Sequence, residues 1–432
     1  MSFICGFFFF QMQKFFKKYL ENHKQFNNLV IYGFGQGFNL ITPLLVIPYI
    51  VLICGEEGYG KIGVGMALAF FIMVFIDYGS EITGVKLVAV NREDKQKLEN
   101  IFITTYSAKL LLLIIVLAIV SLFFWFIPYF SQEKSLFFLS LSMAVGQFIN
   151  PTWFLQGIEN FKWITALNII SKVIYLAGIF IFIKQPSDYI YCNLIWGIGM
   201  IAANAIAFGY VVIAHSFSFA NTKKDDVTKL IRENFSIFSS QIFVSLQMYS
   251  PIVLISFFGG NTMAGQYKII DQIIVIFKTY ILLFFNYVYP RICYLLDKSK
   301  QEALRFWKIY NGLNFIFIAL SMILIAIFST EVVTYFNPIG IKEICSLLLI
   351  AVFIPVLQAI TIPLKQLVLG SNKQSKYVRI TMIVTVLSLL LIVAITPIFK
   401  VFGVLIALIV TEIITSLIFY FTVKKELFVR SS

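Results

Sequence analysis

The chain has 432 residues, 59% of them hydrophobic and only 13% charged, with a mean hydropathy of +0.89 and a formal net charge of +13. Soluble domains carry about 25% charged residues, so the chain lacks the polar side chains to coat a water-facing surface. A cytosolic enzyme, a nucleic-acid binder and a secreted domain are excluded, and an all-α polytopic membrane protein remains. The excess of basic residues reads as the positive-inside bias of cytoplasmic loops rather than as a nucleic-acid surface.

Residues 1–28 form a leader. Phe7 to Phe10, Phe15, Phe16, Tyr19 and Leu20 alternate with Lys14, Lys17, Lys18 and Glu21, the pattern of an amphipathic helix lying at the membrane interface. Met12 is as acceptable a start as Met1. Beyond the leader, a spanning helix needs about 20 mostly apolar residues. Twelve such runs follow, at 29–54, 62–80, 102–128, 136–155, 164–183, 189–214, 234–258, 265–289, 309–329, 343–369, 380–397 and 401–422. The runs are continuously apolar, which excludes a β-barrel. With both termini in the cytoplasm, 24 of the 34 Lys and Arg residues fall in inner loops. Five (Lys61, Lys134, Lys184, Lys342, Lys400) fall in outer loops.

The first and seventh runs share a pattern at an offset of 205 residues. Gly35-Gln36 and Phe38 match Ser240-Gln241 and Phe243, and Gly60 matches Gly265. A duplication of six helices accounts for this, giving bundles at 29–214 and 234–422, a linker at 215–233 and a tail at 423–432. Parallel repeats of this kind bind substrate between the bundles and rock about it. Proline removes a helix hydrogen bond, so Pro48 and Pro251 are hinge candidates, with Pro355 and Pro363 behind them.

An ionisable side chain at the bilayer centre costs on the order of 3 kcal/mol, so each one needs a reason. In the eighth run Lys268, Asp271 and Lys278 lie on one helix face. Lys268 and Asp271 neutralise each other, and Lys278 has no partner on its own helix. That stripe suits an anion-binding cavity. It is also compatible with Lys268 reaching the interface and Lys278 pairing with a carboxylate elsewhere. Lys172, mid-span in the fifth run, suits a cavity or an ion pair. Lys365 is a further cavity candidate, and Lys109 is expected to snorkel to the nearby surface. Glu412, central in the last run, is a candidate for proton coupling or for a pair with Lys365 or Lys278. Asp77 and Glu81 read as an entrance gate or a helix-end charge cluster. The scattered Cys5, Cys54, Cys192, Cys293 and Cys345, with His23 and His215, form no metal pattern, and no cofactor is expected.

Asn150-Pro151-Thr152-Trp153-Phe154-Leu155-Gln156-Gly157, continuing to Glu159, Phe161, Lys162 and Trp163, is the densest polar and aromatic stretch. Its rings could stack on sugars. The stretch Pro151 to Glu159 with Phe161-Lys162 and Ile164-Thr165 resembles the fourth-helix region of O-antigen and polysaccharide-repeat flippases of the Wzx type. Gly58-Tyr59-Gly60, Asp77-Tyr78-Gly79, Arg92-Glu93-Asp94 with Lys97-Leu98, and Gly265-Gln266-Tyr267 are similar to that family as well, in order, from about Asn28 to Lys425.

The resemblance implies a MATE-like fold of the multidrug/oligosaccharidyl-lipid/polysaccharide exporter superfamily, in the bacterial inner membrane. It implies transport of an undecaprenyl-diphosphate-linked oligosaccharide, with membrane lipids and other polysaccharide-assembly membrane proteins as partners, and no nucleic acid. Lysine must supply the cavity charge here, because no arginine lies in a span. The alternatives are a cation-coupled drug or metabolite exporter of the same fold and, on weaker grounds, a membrane glycan polymerase.

Overall fold

The computed structural model describes residues 23–218, 224–371 and 374–425; residues 1–22 of the expected leader and the choice between Met1 and Met12 lie outside them, and the leader's last six residues open the first helix. Among the described residues the regular elements are helical. They are α1 (His23–Asp77), α2 (Ser80–Val90), α3 (Lys95–Phe126), α4 (Pro128–Ser131), α5 (Lys134–Ile149), α6 (Thr152–Gly157) and α7 (Phe161–Phe182). A 3-10 turn at Pro186–Tyr191 leads into α8 (Cys192–His215), α9 (Lys224–Gly259), α10 (Asn261–Lys298) and α11 (Lys300–Ile327). The last elements are α12 (Ser329–Thr334), α13 (Ile341–Ala351), α14 (Phe353–Gly370) and α15 (Gln374–Val423).

Nine helical stretches of the described residues are long and apolar enough to cross a membrane, against twelve expected runs. The difference has local causes. α1 holds 55 residues, about 80 Å of straight helix at ~1.5 Å per residue, whereas the hydrocarbon layer is about 30 Å thick. The chain therefore turns within α1, at Gly55 (φ 69°, ψ 176°). No loop intervenes at 55–61, where one was expected. α15 turns in the same way at Lys400 (φ 52°, ψ −130°). The expected fourth run stops early: α5 ends at Ile149, Asn150 is extended, and its Oδ1 accepts the Thr152 N–H at 3.0 Å to start α6. The expected inner loop after the eighth run is also helix. α10 continues to Lys298, and the Ser299 hydroxyl accepts the Glu302 N–H to open α11.

The 205-residue offset reappears in the backbone. Gly260, the equivalent of Gly55, has φ 89° and ψ 168°, the same left-handed conformation that glycine alone adopts freely. One turn further on, α1 and α10 cross in backbone contact. A Cβ on Gly60 would stand 1.9 Å from the Asn261 carbonyl oxygen, and a Cβ on Gly265 would stand 1.9 Å from the Glu56 carbonyl oxygen. Glu56 and Asn261 are themselves 205 apart, so the contact is reciprocal. Small residues that let backbones meet are the usual device where lipid supplies no hydrophobic drive.

Side chains fasten this end of the molecule. Glu56 accepts the Gln266 amide at 2.9 Å and the Gly340 N–H at 2.6 Å. Tyr129 donates to Ser256 at 2.7 Å, and Tyr335 to the Leu44 carbonyl at 2.9 Å. At the other end Tyr78 stacks on Phe238 with centroids 4.2 Å apart, and the Asn234 amide donates to the Tyr78 carbonyl.

The aromatic stretch after Asn150 is not a sugar platform. Trp153 and Phe154 are buried with Phe102, Tyr106 and Phe217 in a core cluster of their own. These rings carry much of the apolar area that holds α2, α3 and α6 together.

Enlarging either crossing glycine should unseat α1 from α10. Gly60→Val or Gly265→Val is expected to cost about 1–3 kcal/mol or more, measured as a lower melting temperature of the protein in detergent. Gly37→Ala, with open space around its Cβ, should not lower the melting temperature, since alanine is the better helix former.

Candidate functional site

Between the two fastened ends lies a cavity of about 470 Å³, within the range of about 300–1,000 Å³ typical of ligand pockets. Lys268, Asp271 and Lys278 of α10, Lys365 of α14, Glu412 of α15 and Pro251 of α9 all line it. The spacing read from the sequence thus places three of them on one face of one helix. Packing brings the next two from separate elements.

The pairing differs from expectation. Lys278 does have a partner: Asp271 Oδ1 is 3.7 Å from its ammonium, while Asp271 Oδ2 is 3.7 Å from that of Lys268. Lys278 lies seven residues, two helical turns, beyond Asp271, which brings them to the same side. Two ammoniums share one carboxylate, so the stripe keeps one uncompensated positive charge. Neither Lys365 nor Glu412 makes an ion pair among the described residues. The Lys365 ammonium lies 5.9 Å from the Phe419 ring centroid. Glu412 accepts the Gln358 amide at 3.2 Å through Oε1, and its buried Oε2 has no hydrogen-bond partner among the described residues. The pair considered between Glu412 and Lys365 or Lys278 is not formed.

Lys172 stands outside the lining. Its ammonium sits 3.4 Å above the centroid of Trp196, and it is Trp196 that lines the cavity. The expected cavity or ion-pair role is replaced by a cation–π contact. Pro48 lies within α1 short of the turn at Gly55, and the helix also runs on through Pro251. Pro363 lies within α14, where its carbonyl accepts the Trp307 indole N–H at 3.0 Å.

Asp77 and Glu81 belong to a separate cluster. Lys109, expected to snorkel, is instead 2% exposed and forms a 3.2 Å ion pair with Asp77 Oδ1. The Ser80 hydroxyl donates to the same carboxylate at 2.6 Å, and the Glu81 N–H reaches its other oxygen. Gln147 donates to Glu81 at 3.2 Å. The backbone turns between the two acids, with Tyr78 at φ 47° and Gly79 at φ 79°. That turn points Asp77 inward to Lys109, a side-chain direction no linear spacing reveals. The sequence also gave no sign of Gln247, Gln272 or Gln358, which line the cavity, because single amides in apolar runs carry no pattern.

Helices folded back on themselves around a central charged cavity define a class: the multi-pass helical membrane protein with a MATE-like fold. The structure is similar to that of an inward-facing multidrug resistance MATE family transporter of the MOP superfamily, with a TM-score of 0.71 and 14% identity, covering 90% of this chain and 94% of that one. It is likewise similar to the lipid II flippase MurJ in its inward closed conformation, with a TM-score of 0.73 and 14% identity, covering 91% of this chain and 87% of that one. Sequence narrows the class. The model of the polysaccharide biosynthesis protein family matches residues 26–295, and the chain belongs to that family. It is 27% identical over 405 residues, 93% of this chain and 97% of the relative, to the "Putative O-antigen transporter" of Escherichia coli (strain K12). It is a multi-pass protein of the bacterial inner membrane.

Breaking the Asp77–Lys109 pair by either Asp77→Asn or Lys109→Met leaves a buried charge unpaired, at a cost of about 3–5 kcal/mol. The double variant should recover most of that loss. A double-mutant cycle on thermal stability in detergent measures it, and simple additivity would show that the pair is not coupled.

Proposed function

We propose that the protein is a flippase that moves an undecaprenyl-diphosphate-linked oligosaccharide, an O-antigen or related repeat unit, across the inner membrane by alternating access. The observation that carries this is the charge of the cavity. Three lysines, Lys268, Lys278 and Lys365, outnumber the two carboxylates of Asp271 and Glu412 in the lining, and Lys268 and Lys278 share Asp271. A diphosphate brings at least two negative charges. An ammonium and a phosphate oxygen 4 Å apart attract by about 1 kcal/mol in bulk water but about 4 kcal/mol at an effective dielectric of ~20, so a cavity withdrawn from water binds the dianion strongly. The same field repels a cationic drug, which weighs against the exporter alternative. The family match and the relative's printed name support the reading. A transporter rather than a glycan polymerase is favoured because the ionisable groups line an internal cavity instead of an outer loop.

The finer arrangement follows the sequence. The turns at Gly55 and Lys400 make two crossings each of α1 and α15, which raises nine stretches to eleven. α5, at 16 residues, makes the twelfth. The helices form bundles at 29–214 and 234–422, with both termini cytoplasmic as the distribution of Lys and Arg requires. The Gly55 end then faces outward. Pro48 and Pro251 serve as hinges, Asp77 and Glu81 lie at the inner gate beside the Tyr78–Phe238 stack, and Glu412 carries the coupling proton. Lys172 contributes through Trp196.

In cells depleted of the protein, outward exposure of a labelled lipid-linked repeat unit should fall, and undiminished exposure would refute the function. Complementation with Lys268→Gln/Lys278→Gln should restore less than about a tenth of the wild-type rate, since losing both attractions at ~20 dielectric removes several kcal/mol. Susceptibility to a panel of cationic drugs should not change.

A further inference from the structure

The cavity has two chemically different walls. The lysines project from α10 and α14, in the second half of the chain, whereas most of the rings (Tyr59, Phe70, Tyr175 and Trp196) come from α1, α7 and α8 of the first half, with Tyr249 and Tyr267 added by the second. Trp196 is central among these: the Tyr175 ring meets it edge-on with centroids 4.8 Å apart, and Phe70 does so at 6.2 Å. All three line the cavity. The repeat does not account for this. The equivalents of Phe70 and Trp196 in the second half are Val275 and Val401, and those of Lys268 and Asp271 in the first are Gly63 and Met66. At these positions the two halves carry different chemistry.

One face of a hexose ring is built of weakly positive C–H groups, which pack on the negative face of an aromatic ring as the edge of another aromatic does. Hexose hydroxyls need planar donors and acceptors beside that face, and Gln247, Gln272 and Gln358 line the same cavity. A lipid tail would call for neither. The Trp196 ring is also fixed: the Lys172 ammonium, which has no carboxylate partner among the described residues, sits 3.4 Å from its centroid. On the basis of the transport function proposed above, we propose that Trp196 is the sugar-stacking platform of the cavity, with Lys172 as the positioning residue that holds its ring. The diphosphate then sits at Lys268 and Lys278, and the first sugar reaches across to the aromatic wall.

The test uses the full chain in lipid nanodiscs and two probes: undecaprenyl diphosphate, and the same lipid carrying one N-acetylhexosamine. The wild type should bind the sugar-bearing probe about five- to tenfold more tightly, the scale of one aromatic stacking contact. Trp196→Ala should abolish that difference and leave affinity for the bare diphosphate intact, while Trp196→Phe should keep part of it. Lys172→Met should shrink the sugar increment alone. Equal affinity for both probes in the wild type, or an increment that survives Trp196→Ala, overturns the platform while leaving the flippase function standing. A loss of bare diphosphate binding in Lys172→Met overturns its positioning role. Binding of neither probe refutes the transport function itself.

Discussion

The backbone contact between α1 and α10 governs the rest of the structure. Gly60 and Gly265 leave no room for a side chain between the helices, so the two backbones themselves set the register of one against the other. One turn deeper, that register sets Gly63 against Lys268, whose Cγ lies 3.4 Å from where a Gly63 Cβ would be. The cavity begins there, and Lys268, Asp271 and Lys278 line it as α10 descends. A membrane interior gives no hydrophobic reward for bringing two helices together. The contact therefore rests on close packing and on the hydrogen bonds of Glu56 around it.

How much of this could be read from the sequence depended on whether the information was local. Apolar runs of spanning length are a local property, and the helices lie where those runs lie. The offset of 205 was visible through Gly60 and Gly265, because a glycine needed for close approach cannot drift. Turns without loops were not visible: Gly55 and Lys400 kink the chain inside continuous helix, and an apolar run does not say at which residue it bends. Of the site, the face shared by Lys268, Asp271 and Lys278 followed from helical periodicity. The sharing of Asp271 by both lysines depends on side-chain reach across two turns, and the contact of Lys172 with Trp196 on how α7 meets α8. Lys109 misled for the same reason. Its position near a helix end suggested escape to the surface, yet the turn at Tyr78-Gly79 delivers Asp77 to it and makes a buried pair the better solution.

The segments related by the 205-residue offset keep a common geometry where they touch and differ where they face the cavity. Equivalent glycines adopt equivalent conformations at Gly55 and Gly260. Among the residues that line the cavity, the second half supplies the ammoniums and the first supplies most of the rings. A symmetric pair would present the same chemistry twice. An amphiphile with a phosphate at one point and sugars at the next is better matched by walls of unlike character.

The turn at Gly55 puts no loop between the two arms of α1. A reporter or protease site spliced in at residues 56–61 would interrupt the helical arm that meets α10, instead of hanging from the surface as insertions at loop tips do. Mapping of the chain's sidedness by tag insertion would thus lose the protein at this hairpin rather than report on it, and chemical labelling of single cysteines is the gentler route.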